Sequence, residues 1–188
     1  MTLSRKQKHS NNNLINNKMK NVNILNLLVI LVMVFGFNQL NAQNPDARLV
    51  KTKIVNKSAD AVWKVVRDLE AVAEHSSLIG SLTLEGGNQA GAIRVCYTPD
   101  KSGFFKENII AFDDDKRSYS YAIVEGTPTK NMINNFKVVD LGYNKSMIVW
   151  WSNFEAFMEN PKMTKEQFIG FMDSSIEEWT SNMAAAAK

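Results

Sequence analysis

The sequence is poor in the residues on which most metal and nucleophile chemistry depends. A single cysteine, Cys96, stands in a chain of 188 residues. An intrachain disulfide is therefore excluded, and with it a disulfide-stapled scaffold. His9 and His75 are the only two histidines. With one thiol beside them, they are too few for a zinc site of ordinary type. No Gly-x-Ser-x-Gly elbow occurs, so a Ser-His-Asp triad would have to be built around His75. No cofactor motif is present, and none is expected to be bound.

Long apolar runs are equally scarce. The most extended one, 24–37 (ILNLLVILVMVFGF), is broken only by Asn26 and Gly36. It falls short of the ~20 residues that a spanning helix needs. Lys18 and Lys20 precede it, and Leu40-Asn41-Ala42 follows it. A positive n-region, an apolar h-region and a small residue at the cut make a secretory signal, and cleavage after Ala42 is preferred to a retained anchor. Met19-Lys20 could open such a signal by itself. No cysteine stands just after the run, near the expected cut, so lipid attachment at a mature N-terminal cysteine is excluded. The expected organisation is a leader, 1–42, and one mature domain, 43–188. The mature domain is expected to be periplasmic or secreted, with no stable membrane span after cleavage.

Setting the leader aside reverses the sign of the charge. Arg5, Lys6, Lys8, Lys18 and Lys20 lie within it and no acid does, so the mature part keeps 17 of the 22 basic residues and all 19 acidic ones. A mildly acidic domain has no electrostatic footprint for a phosphate backbone, which argues against nucleic acid as a partner. The 146 residues left are enough for one domain with a sizeable core and too few for two.

Periodicity supplies the elements. Residues 48–56 (RLVKTKIVN) alternate as a first strand. Ser58 caps a helix running to Asp68, with Ala59, Val62, Trp63 and Val66 on one face. Residues 69–75 form a second, short helix. Strands then follow at 78–84, 92–98, 104–112, 118–124, 132–141 and 146–157, separated by turn residues at hairpin spacing. Thr164-Lys165-Glu166-Gln167 is a capping box with Pro161 just upstream. Behind it Phe168, Phe171, Met172, Ser175, Ile176, Trp179 and Met183 recur on one helical face. Such a stripe suits a dry core, and it equally suits a cavity roof made by Phe168, Met172 and Trp179.

These residues carry a resemblance. The order of strand, two helices, six strands and long helix resembles the helix-grip or START-like superfamily, which includes the birch-pollen allergen. More narrowly it resembles the polyketide cyclase/dehydrase and lipid transport family. The matching residues are Gly91-x-x-Arg94, Glu107-x-x-x-x-Phe112-Asp113, Arg117-x-x-x-Tyr121, Gly126 with Pro128 and Phe136, and Trp150-Trp151. Ala61-x-Trp63-x-Val65-Val66-x-Asp68 matches the first helix. The likeness implies an α+β fold in which a curved, seven-stranded antiparallel sheet wraps around a long C-terminal helix. Plant abscisic-acid receptors have a similar layout. By that likeness residues 99–104 and 127–130 are loops at the cavity mouth, and Glu107 and Tyr121 are cavity positions. The lysine that anchors the hormone's carboxylate there falls at Gly80 here, which argues against an acidic ligand held in the same way.

The two-residue strand period extends this to a candidate site. An inward Glu107 takes Phe105 and Ile109 with it, Tyr121 is joined by Tyr119 and Ile123, and Trp151 by Val149. The family match turns Arg94, Cys96 and Thr98 inward, whereas raw hydrophobicity would turn in Ile93, Val95 and Tyr97. An inward Arg94 would pair with Glu107, because a lone buried charge is costly; alternatively both are surface residues. Cys96 reads as a structural thiol. The expected ligand-binding set is thus Arg94, Phe105, Glu107, Tyr121, Ile123, Val149 and Trp151 on the sheet, with Phe168, Met172 and Trp179 on the helix. The favoured function is binding of a small hydrophobic or amphipathic, lipid-like molecule without turnover. The alternatives are a cyclase/dehydratase-like enzyme using Glu107, Tyr121 or His75 as acid or base, and a protein-interaction module using the same groove.

Overall fold

The computed structural model describes residues 49–188. The expected leader and the first few residues of the expected mature domain lie outside them. The described chain runs β1 (Leu49–Val55), α1 (Ala59–Val66), α2 (Val72–His75), β2 (Ser81–Glu85), β3 (Ile93–Tyr97), β4 (Phe104–Asp113), β5 (Ser118–Glu125), β6 (Thr129–Lys130), β7 (Met132–Gly142), β8 (Lys145–Asn153), β9 (Ala156–Phe157) and α3 (Lys165–Ala186). Seven strands form one antiparallel sheet in the order β1-β8-β7-β5-β4-β3-β2. With α3 as the long C-terminal helix, this is the helix-grip arrangement, in the α+β class.

The two longer helices, α1 and α3, begin where their capping residues say they should, whereas the short α2 has no side-chain cap. Ser58 Oγ accepts from the Ala61 amide at 3.3 Å, and at α3 Thr164 and Gln167 cap each other reciprocally. A cap is worth about 1 kcal/mol. Burying Phe168, Met172, Ile176, Trp179 and Met183 on α3 contributes about 1.5–3 kcal/mol for each large apolar side chain. Packing, not propensity, therefore holds α3 on the sheet. The buried stripe is narrower than the sequence suggests, with Phe171 36% exposed and Ser175 only half-buried at its edge.

Strand β1 turns its two lysines toward the helix. Leu49 and Val55 are buried at its ends, while Val50 and Ile54 are exposed on the outer face. Lys51 Nζ reaches Asp173 at 2.9 Å and Glu177 at 3.7 Å, and Lys53 Nζ reaches Glu177 at 3.3 Å. The aliphatic stems cover the sheet while the charged heads meet the acids of α3.

Three boundaries differ from those read off the sequence. The short helix contracts to α2, and the strand expected from residue 78 begins at Ser81. The expected strand 146–157 ends at Asn153, where Phe154 turns into the core at 4% exposure. Residues 156–157 then pair with 129–130, part of an expected loop, as the separate ribbon β6-β9. Lys130 and Asn131 fasten it by binding the Glu155 carboxylate at 2.6 and 2.7 Å. Two-residue ladders are too short to leave any alternation in a sequence.

Candidate functional site

The inner face of β3 carries Arg94 and Cys96, both buried, while Ile93 is 36% exposed on the outer face. Strand register is the cause. Arg94 lies directly opposite Glu107 on β4 and Leu84 on β2, and opposite charges facing each other across a ladder support the pairing. Arg94 Nε donates to Glu107 Oε2 at 2.6 Å, and Nη1 donates to the Leu69 carbonyl at 3.2 Å. The guanidinium also sits 5.3 Å from the centroid of the Tyr121 ring. Burial works against its charge, but the Glu107 carboxylate prevails and holds the Arg94 pKa above the ordinary arginine value.

Irregularities in β4 aim the neighbouring side chains. Its register against β5 shifts at Lys106/Glu107 and again between Ile109 and Ala111. The second shift leaves Ile110 outside and lets Ile109 and Phe112 both face inward, as a bulge does. Phe112 packs on Trp63 and Tyr119, and Tyr119 stacks on Phe136 at 5.3 Å. That aromatic run fills the space under α1. Toward α2 the filling is incomplete.

There a cavity of about 60 Å³ lies between sheet and α3. Its floor is Cys96, Phe105, Glu107, Tyr121 and Ile123; its roof is Met172, Ile176 and Trp179. Val72, Ser76 and Ile79 close one end, and Thr127 stands at the rim. The volume suits a few waters and is less than half the ~150 Å³ of a cavity that holds benzene. A larger guest enters only if roof side chains move, and Met172 is the most adaptable of them. Two loops meet at the mouth: Gly126 packs against the Phe104 carbonyl, and Gly80 against Pro99. A Cβ at Gly80 would lie 2.5 Å from Pro99 Cα, so the receptor lysine that falls at this position has no room here.

The expected site residues sort into four groups. Phe105, Glu107, Tyr121, Ile123, Met172 and Trp179 line the cavity, with Arg94 fully buried behind Glu107. Phe168 is buried beside the cavity, packed on Phe154 and Phe157 at 6.0 and 5.8 Å between centroids. Val149 and Trp151 are corrected: they lie half-buried on the outer face, and Ile148 and Trp150 take the inner one. Register again decides, since Leu49 pairs with Ser152 and Lys51 with Trp150, which fixes the inner parity of β8. His75 is also removed from the site. It lies in a separate groove with Lys64, Asp68 and Lys188, where its carbonyl accepts from Asn182 at 2.9 Å. The expected set lacked Val72, Ser76 and Ile79, which come from irregular or short segments with no period to read. It also lacked Cys96, expected inward but read as structural, and Thr127, expected only as part of a loop at the mouth. Ile176 was visible in the helical stripe.

Two of the lining groups are held in their neutral forms. Burial, reinforced by the nearby Glu107 carboxylate, pushes the Cys96 thiol up to about 12, so it stays protonated and unreactive. Burial first, then Glu107, drives the Tyr121 phenol well above 10. Arg94 and the Cys96 thiol, at 3.9 Å, both contact Oε2 of Glu107. Among the described residues no donor reaches Oε1, which leaves one carboxylate oxygen free at an otherwise apolar wall. No cluster of His, Cys, Asp or Glu among the described residues could hold a metal ion.

Comparison with known proteins places this geometry. Residues 46–188 match the family model described as polyketide cyclase / dehydrase and lipid transport. No curated protein matches the chain. Among solved structures, XoxI from Bacillus cereus is similar at 20% identity and a TM-score of 0.64, over 74% of this chain and 94% of that one. The Zhui aromatase/cyclase from Streptomyces is similar at 14% identity and a TM-score of 0.58, over 74% and 89%. Norcoclaurine synthase from Thalictrum flavum, solved with dopamine and hydroxybenzaldehyde, is similar at 17% and a TM-score of 0.58, over 73% and 83%. At these identities the three likenesses speak to the fold alone.

Proposed function

The chain belongs to the polyketide cyclase/dehydrase and lipid transport family over residues 46–188, and on that premise we propose that it is an exported binder of a compact, largely apolar molecule carrying a hydrogen-bond donor. The free Oε1 of Glu107 in the apolar wall is the observation that carries the reading. A carboxylate already neutralised by Arg94 does not call for a cationic ligand. It still offers a strong acceptor, and a hydroxyl or N–H on the guest would satisfy it. The small volume favours one ring or a short chain over a long-chain lipid. Turnover has less support, because Tyr121 and Cys96 stay neutral and His75 is elsewhere.

The probe is p-cresol, with p-xylene as its donorless counterpart, titrated into the protein while Trp179 fluorescence and NMR shifts are followed. Saturable p-cresol binding is expected, with Glu107→Gln weakening it by about tenfold, the size of one lost charge-assisted hydrogen bond. The variant should leave p-xylene unmoved. Flat titrations with both compounds would sink the container idea. Export rests on the leader at 1–42, and N-terminal sequencing of protein from its own host should begin near Gln43. Recovery of intact 24–37 in a membrane fraction would favour an anchored domain instead.

A further inference from the structure

The sheet register sets Tyr121, Asn134 and Ser152 side by side across β5, β7 and β8 on the inner face. Tyr121 lines the cavity, and the next two residues lie deeper, both with no exposure. The Asn134 side chain is unusual for a buried amide: neither its Oδ1 nor its Nδ2 has a hydrogen-bond partner. The Ser152 hydroxyl is in the same state. The buried Trp179 indole nitrogen, facing the same inner region from α3, also lacks a partner. Trp179 packs edge-on against Phe136 at 4.9 Å, and Phe136 is two residues from Asn134 on the same face of β7. Interiors rarely leave one polar group unpaired, and here two donors and two acceptors of two neighbouring residues are left so at one place.

We infer that Asn134 and Ser152 form a second polar subsite, which takes a ligand group able to donate and accept at once, such as a carboxamide or hydroxyl. The inference rests on the reading of the cavity as a ligand site. Asn134 presents a carbonyl and an NH2 together, and Ser152 adds a rotatable hydroxyl, so the set complements an amide or alcohol better than a lone acceptor. Asn134 and Ser152 have no exposure and do not border the cavity, so a guest reaches them from Tyr121 only when the side chains above them move, as a larger guest requires for room in any case. From Glu107 to Asn134 is two strand spacings across, about 10 Å, and one two-residue step along, about 7 Å. That span fits a single ring carrying polar groups at opposite ends. The ligand class is then a compact aromatic with a donor at one end for Glu107 and an amide or hydroxyl at the other for Asn134 and Ser152.

The test compares 4-hydroxybenzamide with p-cresol, which share the phenol and differ in the second polar end. Asn134→Leu should weaken 4-hydroxybenzamide by about tenfold, one or two lost hydrogen bonds, while p-cresol stays within about twofold. The empty Asn134→Leu protein should also melt higher than the parent, because an unpaired buried amide has been replaced by an apolar group. Ser152→Ala, a smaller change, should give a selective loss of about threefold in the same direction. If both probes bind the parent and each variant treats them alike, the subsite is refuted while the cavity reading stands. If neither probe binds the parent, the cavity reading fails and the subsite with it. A lower melting temperature for Asn134→Leu, with unchanged probe selectivity, would mean that ordered water already satisfies the amide and would overturn the inference.

Discussion

Replacing Arg94 by methionine is expected to destabilise the domain by about 3–5 kcal/mol, the cost of removing one member of a buried ion pair. The guanidinium has no solvent exposure, and the Glu107 side chain retains 8%. Methionine fills much of the arginine stem's volume, so the loss would not come from a large void. It would come from a carboxylate stranded in an apolar wall, with the 5.3 Å contact of the guanidinium to the Tyr121 ring also gone. Glu107→Gln alone should be costly for the mirror-image reason, since it leaves the cation without its counter-charge. The double variant Arg94→Met/Glu107→Gln should then recover part of the sum. Urea melts at neutral pH measure this as a shift in midpoint at constant slope. Strict additivity of the two single changes would remove the ion pair as a structural unit.

Gly126→Ala should cost about 2–4 kcal/mol, overpacking together with the strain of an alanine at positive φ. Gly126 has φ of +100°, and a Cβ there would run into the carbonyl oxygen of Phe104. Relief requires moving either the start of β4, which carries Phe105, or the turn after β5, which carries Thr127. Both residues border the cavity, so p-cresol affinity should fall along with stability. Gly142→Ala is the control, because Gly142 has φ of +74° but nothing within 4 Å of the added carbon. It should lose only the backbone term, about 1 kcal/mol. Equal melting temperatures for the two alanine variants would show that the close approach at Phe104 is not a constraint.

Much of the fold was legible because several local signals agree. Thr164 and Gln167 announce α3, and the helical spacing of Phe168, Met172, Ile176, Trp179 and Met183 gives its buried face. The site was legible where the family likeness turned Arg94 inward against raw hydrophobicity, at a charge that breaks the apolar pattern of β3. Arg94 in an apolar strand, opposite a second strand holding Glu107, has a physical reason to turn inward that hydrophobicity alone would not supply. Strand β8 offered no such break. Met147, Val149 and Trp151 on one face are as apolar as Ile148 and Trp150 on the other, so its parity depends on pairing with β1, a long-range fact. Ser152 and Asn134 show the same difficulty from the opposite side, because polar residues on a fully buried face contradict the period rule. The small ribbon β6-β9 and the end of the cavity at Ser76 and Ile79 were beyond reach for want of length.

The pairing of β1 with β8 also has a kinetic side. Leu49 meets Ser152, about a hundred residues later in the chain, so β1, the first strand among the described residues, is among the last of them to find its partner. Contacts of such separation slow folding, because loop closure must precede any gain from the ladder. Until β8 has formed, the segment LVKTKIV is a bare strand rich in β-branched residues, the kind that recruits other chains. Lys51 and Lys53 interrupt it at alternate positions and act as gatekeepers during that wait. The two lysines thus serve the chain twice, first by repelling other copies of it and later by fastening the finished edge to the acids of α3.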